Sequence, residues 1–271
     1  MTGSRTLRLA TTTSTYDTGL LDVLNETFQS TYSVTMEVIG QGTGAALETA
    51  RNGDADLVLA HARSLEDAFL KEEYGINRRD VMANDFVIVG PSGDPANVAA
   101  QDNAMEAFSA IASTKATFLS RGDQSGTHER ERSIWKEAGI EPAGEWYRAL
   151  GSGMGEVLTH ANLVSGYTLT DRGTFLHLRE NLDLDIVFEA SSRDTPSRLW
   201  NPYGIIAVNP RLHSHVSYEL AMLYIGFLTS KPGQTIIGEF QVDDEPLFAP
   251  IASNTKPAFD QYVPAAWRCN G

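Results

Sequence analysis

Five hydroxyl residues in a row, Thr11, Thr12, Thr13, Ser14 and Thr15, stand in "LATTTSTYDTGLL", where an apolar strand pattern gives way to a helical one. A helix start needs only one of them, because a single Ser or Thr oxygen accepts from the free backbone N–H groups of the first turn. Five at the carboxyl end of a strand, where open α/β sheets place their ligands, form a polar cluster for a guest with many acceptors. Helix N-termini add unpaired N–H groups and partial positive charge, so the natural guest of such a turn is an anion.

The stretch "SRGDQSGTHER" repeats this chemistry further along. Arg121 sits just past the strand-like "ATFLS", and Gly122, Ser125, Gly126 and Thr127 make a small-residue turn ahead of a helix. Small residues let backbone N–H groups approach a guest, and a guanidinium supplies full charge with planar donor geometry. The competing reading pairs Arg121 with Asp123 or a surface carboxylate. As a cell-adhesion tripeptide "RGD" is a chance match.

Three other chemistries are weaker. Ser125, His128 and Asp123 would make a hydrolase triad only by crowding into one turn, and "GDQSG" is not the G-x-S-x-G elbow. "GQGTGA" has dinucleotide-fingerprint spacing but lacks the acidic residue after the next strand, so it reads as a tight turn into a helix. The six histidines, His213 and His215 among them, have no metal-ligand spacing and read as surface residues, so no metal site is expected.

The elements that would position these turns alternate. "LRLAT" precedes a helix over 16–31 with Leu20, Leu21, Leu24 and Phe28 on one face; "VTMEVIG" precedes a helix over 43–51; "ADLVLAH" follows. Strand and helix in alternation mean a parallel sheet. A short helix over 64–73 leads to "ANDFVIVGP", a buried strand crossing into a second alternating block: helix 99–113, "ATFLS", helix 129–138, helix 154–163, "GYTLT", a short helix in "DRGTFLHLRE", and "DIVFE". "WNPYGIIAVNP" returns the chain, and "SYELAMLYIGFLTS" is the strongest amphipathic helix near the end. The expected domains are lobe I, residues 1–86 and 205–271, and lobe II, residues 87–204, with crossings near 86–91 and 202–208.

Composition narrows the function classes. With 271 residues, 42% hydrophobic and 21% charged, the chain reads as globular, and no apolar run approaches a membrane span. A net charge of -14 argues against nucleic acid as a partner. Cys269 is the single cysteine and cannot form an internal disulfide. The start "MTGSRTLRLA" has no apolar leader core, so a secreted protein is expected here as a trimmed mature form.

In order along residues 7–210, "ATTTSTYDTGLL", "GTGAALETARNGDADLVLAH", "DFVIVGPSGDP", "FLSRGDQSGTHERERSIW", "GSGMGEVLTHA" and "GYTLTDRGTF" resemble the tungstate-binding component of bacterial and archaeal ABC importers. The resemblance implies an α/β, two-lobed type II periplasmic-binding-protein fold, each lobe a mainly parallel sheet flanked by helices, with one tetrahedral oxyanion in the cleft. It implies that Thr12, Thr13 and Ser14, with Arg121, Ser125, Gly126 and Thr127, supply the donors. His61 and Ala62 match through a turn that offers backbone N–H rather than the imidazole, and Met154 and Thr170 fall in matching segments. It further implies a tungstate or molybdate ligand without cofactor, a membrane permease as partner, a monomer, and a periplasmic or extracellular place, lipid-anchored in some members.

The residues themselves bear on the ligand. Tungstate and molybdate carry no proton at neutral pH and suit a site made of donors alone, whereas hydrogen phosphate also calls for a carboxylate acceptor. Asp17, Asp123 and Asp171 lie near the turns in sequence and keep phosphate open. A ligand-sensing domain of a regulator is the alternative of another class, and no catalytic role is expected.

Overall fold

The computed structural model describes residues 5–123, 125–190, 198–242 and 244–252. Cys269 lies outside them. In chain order the elements are β1 (Thr6–Thr12), α1 (Thr13–Tyr16), α2 (Leu20–Tyr32), β2 (Thr35–Gln41), α3 (Thr43–Arg51), β3 (Leu57–Ala60), α4 (Arg63–Lys71) and β4 (Gly75–Pro91). Then come α5 (Ala104–Thr114), β5 (Phe118–Ser120), α6 (Gly126–Glu137), β6 (Tyr147–Ala149), α7 (Met154–Val164), β7 (Tyr167–Asp171), α8 (Arg172–Leu178), β8 (Leu184–Phe188), β9 (Trp200–Val208), α9 (Tyr218–Thr229) and α10 (Lys231–Glu239). Among the described residues no helix is long and apolar enough to cross a membrane.

The chain divides into two compact units, residues 1–83, 202–241 and 248–271 in one and 84–201 with 242–247 in the other. In the first, β1 is central: it pairs in parallel with β2 from Thr6↔Thr35 to Thr12↔Gln41 and with β3 from Leu9↔Leu57 to Thr11↔Leu59. β9 joins β3 antiparallel, Leu57 facing Ala207 and Ala60 facing Gly204. Ala10, Leu47, Val58, Phe69 and Ile206 form a core on the sheet. Phe28 of α2 meets Tyr224 of α9 edge-on at 4.9 Å. Burying one such aromatic contributes about 1.5–3 kcal/mol.

In the second unit β5 pairs in parallel with β6 (Phe118↔Tyr147) and β7 (Phe118↔Tyr167). The carboxyl half of β4 runs antiparallel to β7, Phe86 facing Asp171, and to β8, with a bulge between Ile88 and Val89. Successive strand residues point to opposite faces. Phe86 and Ile88 therefore enter one core with Phe108, Phe118 and Trp135, and Val87 and Val89 another with Leu119, Val157 and Phe175. A sheet covered on both faces needs an unbroken apolar run, and "FVIVG" is one.

Both units are α/β, but antiparallel strands β9 and β4 complete the parallel ladders. Several expected bounds shift. The helix over 16–31 divides into α1 and α2 because Gly19 takes a left-handed conformation (φ 80°) between them. α5 begins at Ala104 rather than 99, since Asn103 accepts from Glu106 N and residues 98–100 form a separate 3₁₀ turn. α6 begins three residues early, and β6 has no counterpart in the sequence reading. β4 is a 17-residue strand whose first half, "GINRRDVM", reads as polar in sequence.

Candidate functional site

Parallel strands end together, and register decides which turns share an end. In the first unit Thr11 lies level with Leu59, so the turn after Thr12 and the turn after Ala60 emerge side by side. Thr12 closes β1 in extended conformation (φ -79°, ψ 147°) and precedes α1, without a side-chain capping bond to that helix. Its Oγ1 lies 2.6 Å from Thr15 Oγ1. Thr11 Oγ1 donates to Leu59 O at 3.1 Å, which ties β1 to β3. Thr13 is exposed at the start of α1, and the side chain of Ser14 lies outside what the structure describes. Of the five hydroxyls, three thus serve the turn itself.

The neighbouring turn carries His61 and Ala62. The imidazole packs on the Tyr203 ring, centroids 4.7 Å apart, while Ala62 is the N-cap residue of α4. Beneath this turn lies an ion cluster that the sequence reading missed. Glu66 is wholly buried, with Oε2 accepting from Arg78 Nε at 2.7 Å and Oε1 without a hydrogen-bond partner. Arg78 Nη1 donates to Asp80 at 2.6 Å. Burial pushes the Glu66 carboxyl up to about 7 against the opposing pull of Arg78. A Cβ on Gly204 would stand 2.5 Å from both Arg78 Nη2 and Glu66 Oε2, so only glycine leaves room for the pair.

In the second unit β5 ends at Ser120, level with Ala149 at the end of β6. Arg121 follows, its Nε and Nη2 donating to Asp123 Oδ2 at 3.1 and 2.5 Å. Asp123 Oδ1 accepts from Ser125 N at 3.2 Å. Burial would raise the Asp123 pKa, but hydrogen bonds from Ser125 and Arg121 outweigh it and hold the carboxylate below its usual range. Gly122 bends the loop at φ 64°, where a Cβ would come within 2.9 Å of Ala149. Ser125 caps α6, its Oγ accepting from His128 N at 3.4 Å, so Gly126 and Thr127 sit in the first helical turn.

Met154 and Thr170 stand at the same end of this sheet. Met154 opens α7, and its side chain packs in the apolar core with Val157 and Phe175. Thr170 is buried near the end of β7, its Oγ1 donating to Asp171 O at 3.0 Å. Asp171 caps α8, accepting from Thr174 N and Oγ1. Of the histidines read as surface residues, His215 is exposed and His213 half-buried, and both also bond the backbone at the carboxyl end of α3: His213 Nε2 to Arg51 O and His215 Nε2 to Gly53 O. Among the described residues no group of three or more His, Cys, Asp or Glu could hold a metal ion.

Each unit therefore offers hydroxyls, the N–H groups of a helix start, and, in the second, a guanidinium. Residues 2–232 match the family described as a PBP superfamily domain. The chain is 54% identical, over 95% of its length and 75% of the relative's, to a Haloferax volcanii protein named as a candidate anion-binding protein of an ABC transporter. It is 41% identical, over 90% of its length and 85% of the relative's, to the tungstate-binding protein TupA of Peptoclostridium acidaminophilum. Among solved structures it is similar to the tungstate-binding protein TupA of Desulfovibrio alaskensis G20, at TM-score 0.85 and 38% identity, covering 92% of this chain and 100% of that one.

Proposed function

The chain belongs to the tungstate-binding proteins of the PBP superfamily, the solute-binding components of ABC importers, and from that membership we propose how it holds its ligand. One oxyanion takes donors from the Thr12–Thr13–Ser14 turn, from backbone N–H groups at His61 and Ala62, and from Arg121, Ser125, Gly126 and Thr127. Met154 contributes through the backbone at the start of α7, and Thr170 lines the same strand ends. Arg121 already gives Nε and Nη2 to Asp123, and Nη1 is the edge we assign to the anion.

The observation that carries this reading is the loop after β5, where a guanidinium, a capping serine and a helix start converge on one short turn. The state of the carboxylates favours tungstate over hydrogen phosphate. Asp123 is held ionised by Arg121 and Ser125, Asp171 caps α8, and Asp17 is exposed. Of these three carboxylates, Asp123 and Asp171 are already engaged, which leaves exposed Asp17 as the acceptor a protonated oxyanion would have to reach. Molybdate, of like shape and charge, is the second ligand we assign.

The protein delivers the oxyanion to a membrane permease outside the cytoplasm as a monomer without catalysis, lipid-anchored where a leader supplies the anchor. Thermal shift tests the ligand: because a ligand bound only by the folded state raises the melting midpoint by mass action, about 2.7 kcal/mol at a hundredfold excess over Kd, tungstate and molybdate should shift it strongly and sulfate weakly. A largest shift with phosphate and none with tungstate overturns the reading.

A further inference from the structure

Behind the loop that carries Arg121 lies a buried polar network with no part in the ligand set above. Glu131, on α6, is 2% exposed, and its Oε1 accepts from Trp135 Nε1 at 3.1 Å and from the Tyr147 hydroxyl at 2.9 Å. Tyr147 stands on β6, its ring stacked on Phe118 of β5. Ser120, the last residue of β5, is fully buried, and its Oγ has no partner in full hydrogen-bond geometry, although it stands near enough to the Glu131 carboxyl and the Tyr147 phenol to lower the pKa of both. An unpaired buried hydroxyl is costly, and native proteins leave few.

Oε1 is engaged twice, which leaves Oε2 as the atom of this carboxyl that a small rotation would bring to Ser120, as donor when protonated and as acceptor when ionised. Either bond would tie the last residue of β5, from which the loop departs, to the second turn of α6, the helix into which the loop leads. We propose that Glu131 is a positioning residue for the oxyanion loop, setting through Ser120 and Tyr147 where Arg121 and the first turn of α6 present their donors, and that it couples anion affinity to pH. The coupling to tungstate rests on the functional reading above; the positioning role does not.

The sign follows from linkage. An anion at the N-terminus of α6, about 7.5 Å along the helix from Glu131 at 1.5 Å per residue, favours the protonated carboxyl. Proton and anion then favour each other by the same factor. Burial already holds this carboxyl at about 7. The ionisable or charged groups acting on it are Tyr147 from β6, raised to about 12 and neutral throughout, and Arg132 from its own helix. α5 and β7 meet α6 through Phe108, Ile111, Leu169 and Tyr167 of the apolar core, and the Tyr167 phenol is bound to Asp94 and raised further still.

Calorimetric titration with sodium tungstate at about pH 6 and about pH 8 tests the coupling. The parent should bind about threefold or more tightly at the lower pH. Glu131→Gln, whose amide accepts from Trp135 and Tyr147 and donates to Ser120 as the protonated acid does, should hold the parent's low-pH affinity at both. A flat parent, or an equal slope in Glu131→Gln, overturns the coupling. Hydrogen exchange of the ligand-free protein at one pH tests the positioning: Tyr147→Phe, which removes one anchor from Oε1, should speed exchange of the amides of residues 125–128 by about tenfold, the factor matching a bond of about 1.4 kcal/mol. Unchanged exchange there overturns the positioning role. A parent that binds no tungstate at either pH overturns the functional reading instead, and the exchange result still decides the role of Glu131.

Discussion

Removing the Arg121 guanidinium leaves a dianion among neutral donors, and truncating one partner of a desolvated charge pair costs about 2–5 kcal/mol. Arg121→Ala should therefore weaken tungstate binding far more than Thr12→Ala or Ser125→Ala, each of which removes one neutral group worth about 0.5–1.5 kcal/mol. Arg121→Lys should restore only part, because it keeps charge without the planar fork that also holds Asp123. Calorimetry on the variants checks this, and Arg121→Ala binding within threefold of the parent would place the charge elsewhere. Ser125→Ala should also lower stability by about 1 kcal/mol through loss of the α6 cap, read from urea midpoints. The types of these residues were legible in the sequence; their engagements were not. Nothing in a run of five hydroxyls shows that Thr11 donates to Leu59 or that Thr12 and Thr15 bond each other, because those bonds depend on strand register and on where α1 begins. The Arg121–Asp123 pair was visible as a competing reading, and it forms.

At the level of elements, the tie between α4 and β4 carries the sharpest expectation. Glu66 titrates near its ordinary 4.5 when unfolded and about 7 when folded, so its protonated form stabilises the fold at low pH and that contribution is lost as pH rises through this window. The full shift corresponds to about 3 kcal/mol. Urea unfolding of the parent and Glu66→Gln at about pH 5 and about pH 8 should show the difference moving in favour of the Gln variant at the higher pH; a constant difference would mean that Arg78 keeps the carboxylate ionised throughout. Gly204→Ala should cost about 1–3 kcal/mol by driving a methyl into the same pair. This cluster explains why the first half of β4 was illegible. "NRRD" looks like a solvated turn, yet Arg78 is buried because Glu66 and Asp80 flank it. β6 was hidden differently: three residues of "YRA" make no pattern, and only pairing with β5 makes them a strand. Gly204 and Glu131 left a trace that could have been read, a glycine inside an apolar strand and an acid four residues before a tryptophan on a helix's apolar face.

For the whole molecule, a formal charge of -14 opposes an incoming dianion. Added salt should speed tungstate association, with stopped-flow rates rising as the Debye length shortens from about 30 Å at 0.01 M to about 8 Å at 0.15 M. Rates that fall with salt would mean that a local positive field around Arg121 outweighs the net charge. Strand and helix periods alternate cleanly along the sequence, and "FVIVG" and "YGIIAV" fall in β4 and β9. The excursion of residues 242–247 into the second unit was not legible, since it follows from packing of Val242 in the core with Leu176 and Leu184. Such passages between the units bear on how the protein is made. The second unit is nearly continuous, from Asn84 to Asn201, and those two residues, at its ends, are hydrogen-bonded at 2.8 Å. The first unit lacks β9 until residues 202–208 have been synthesised, and β9 is the strand that covers β3. On the ribosome the stretch 84–201 of the second unit can pack as soon as it emerges, lacking only residues 242–247, whereas the earlier-born strands β1, β2 and β3 wait with an open apolar edge for a partner some 150 residues downstream, a long loop to close and hence a slow step. The half of the protein translated first is the half completed last.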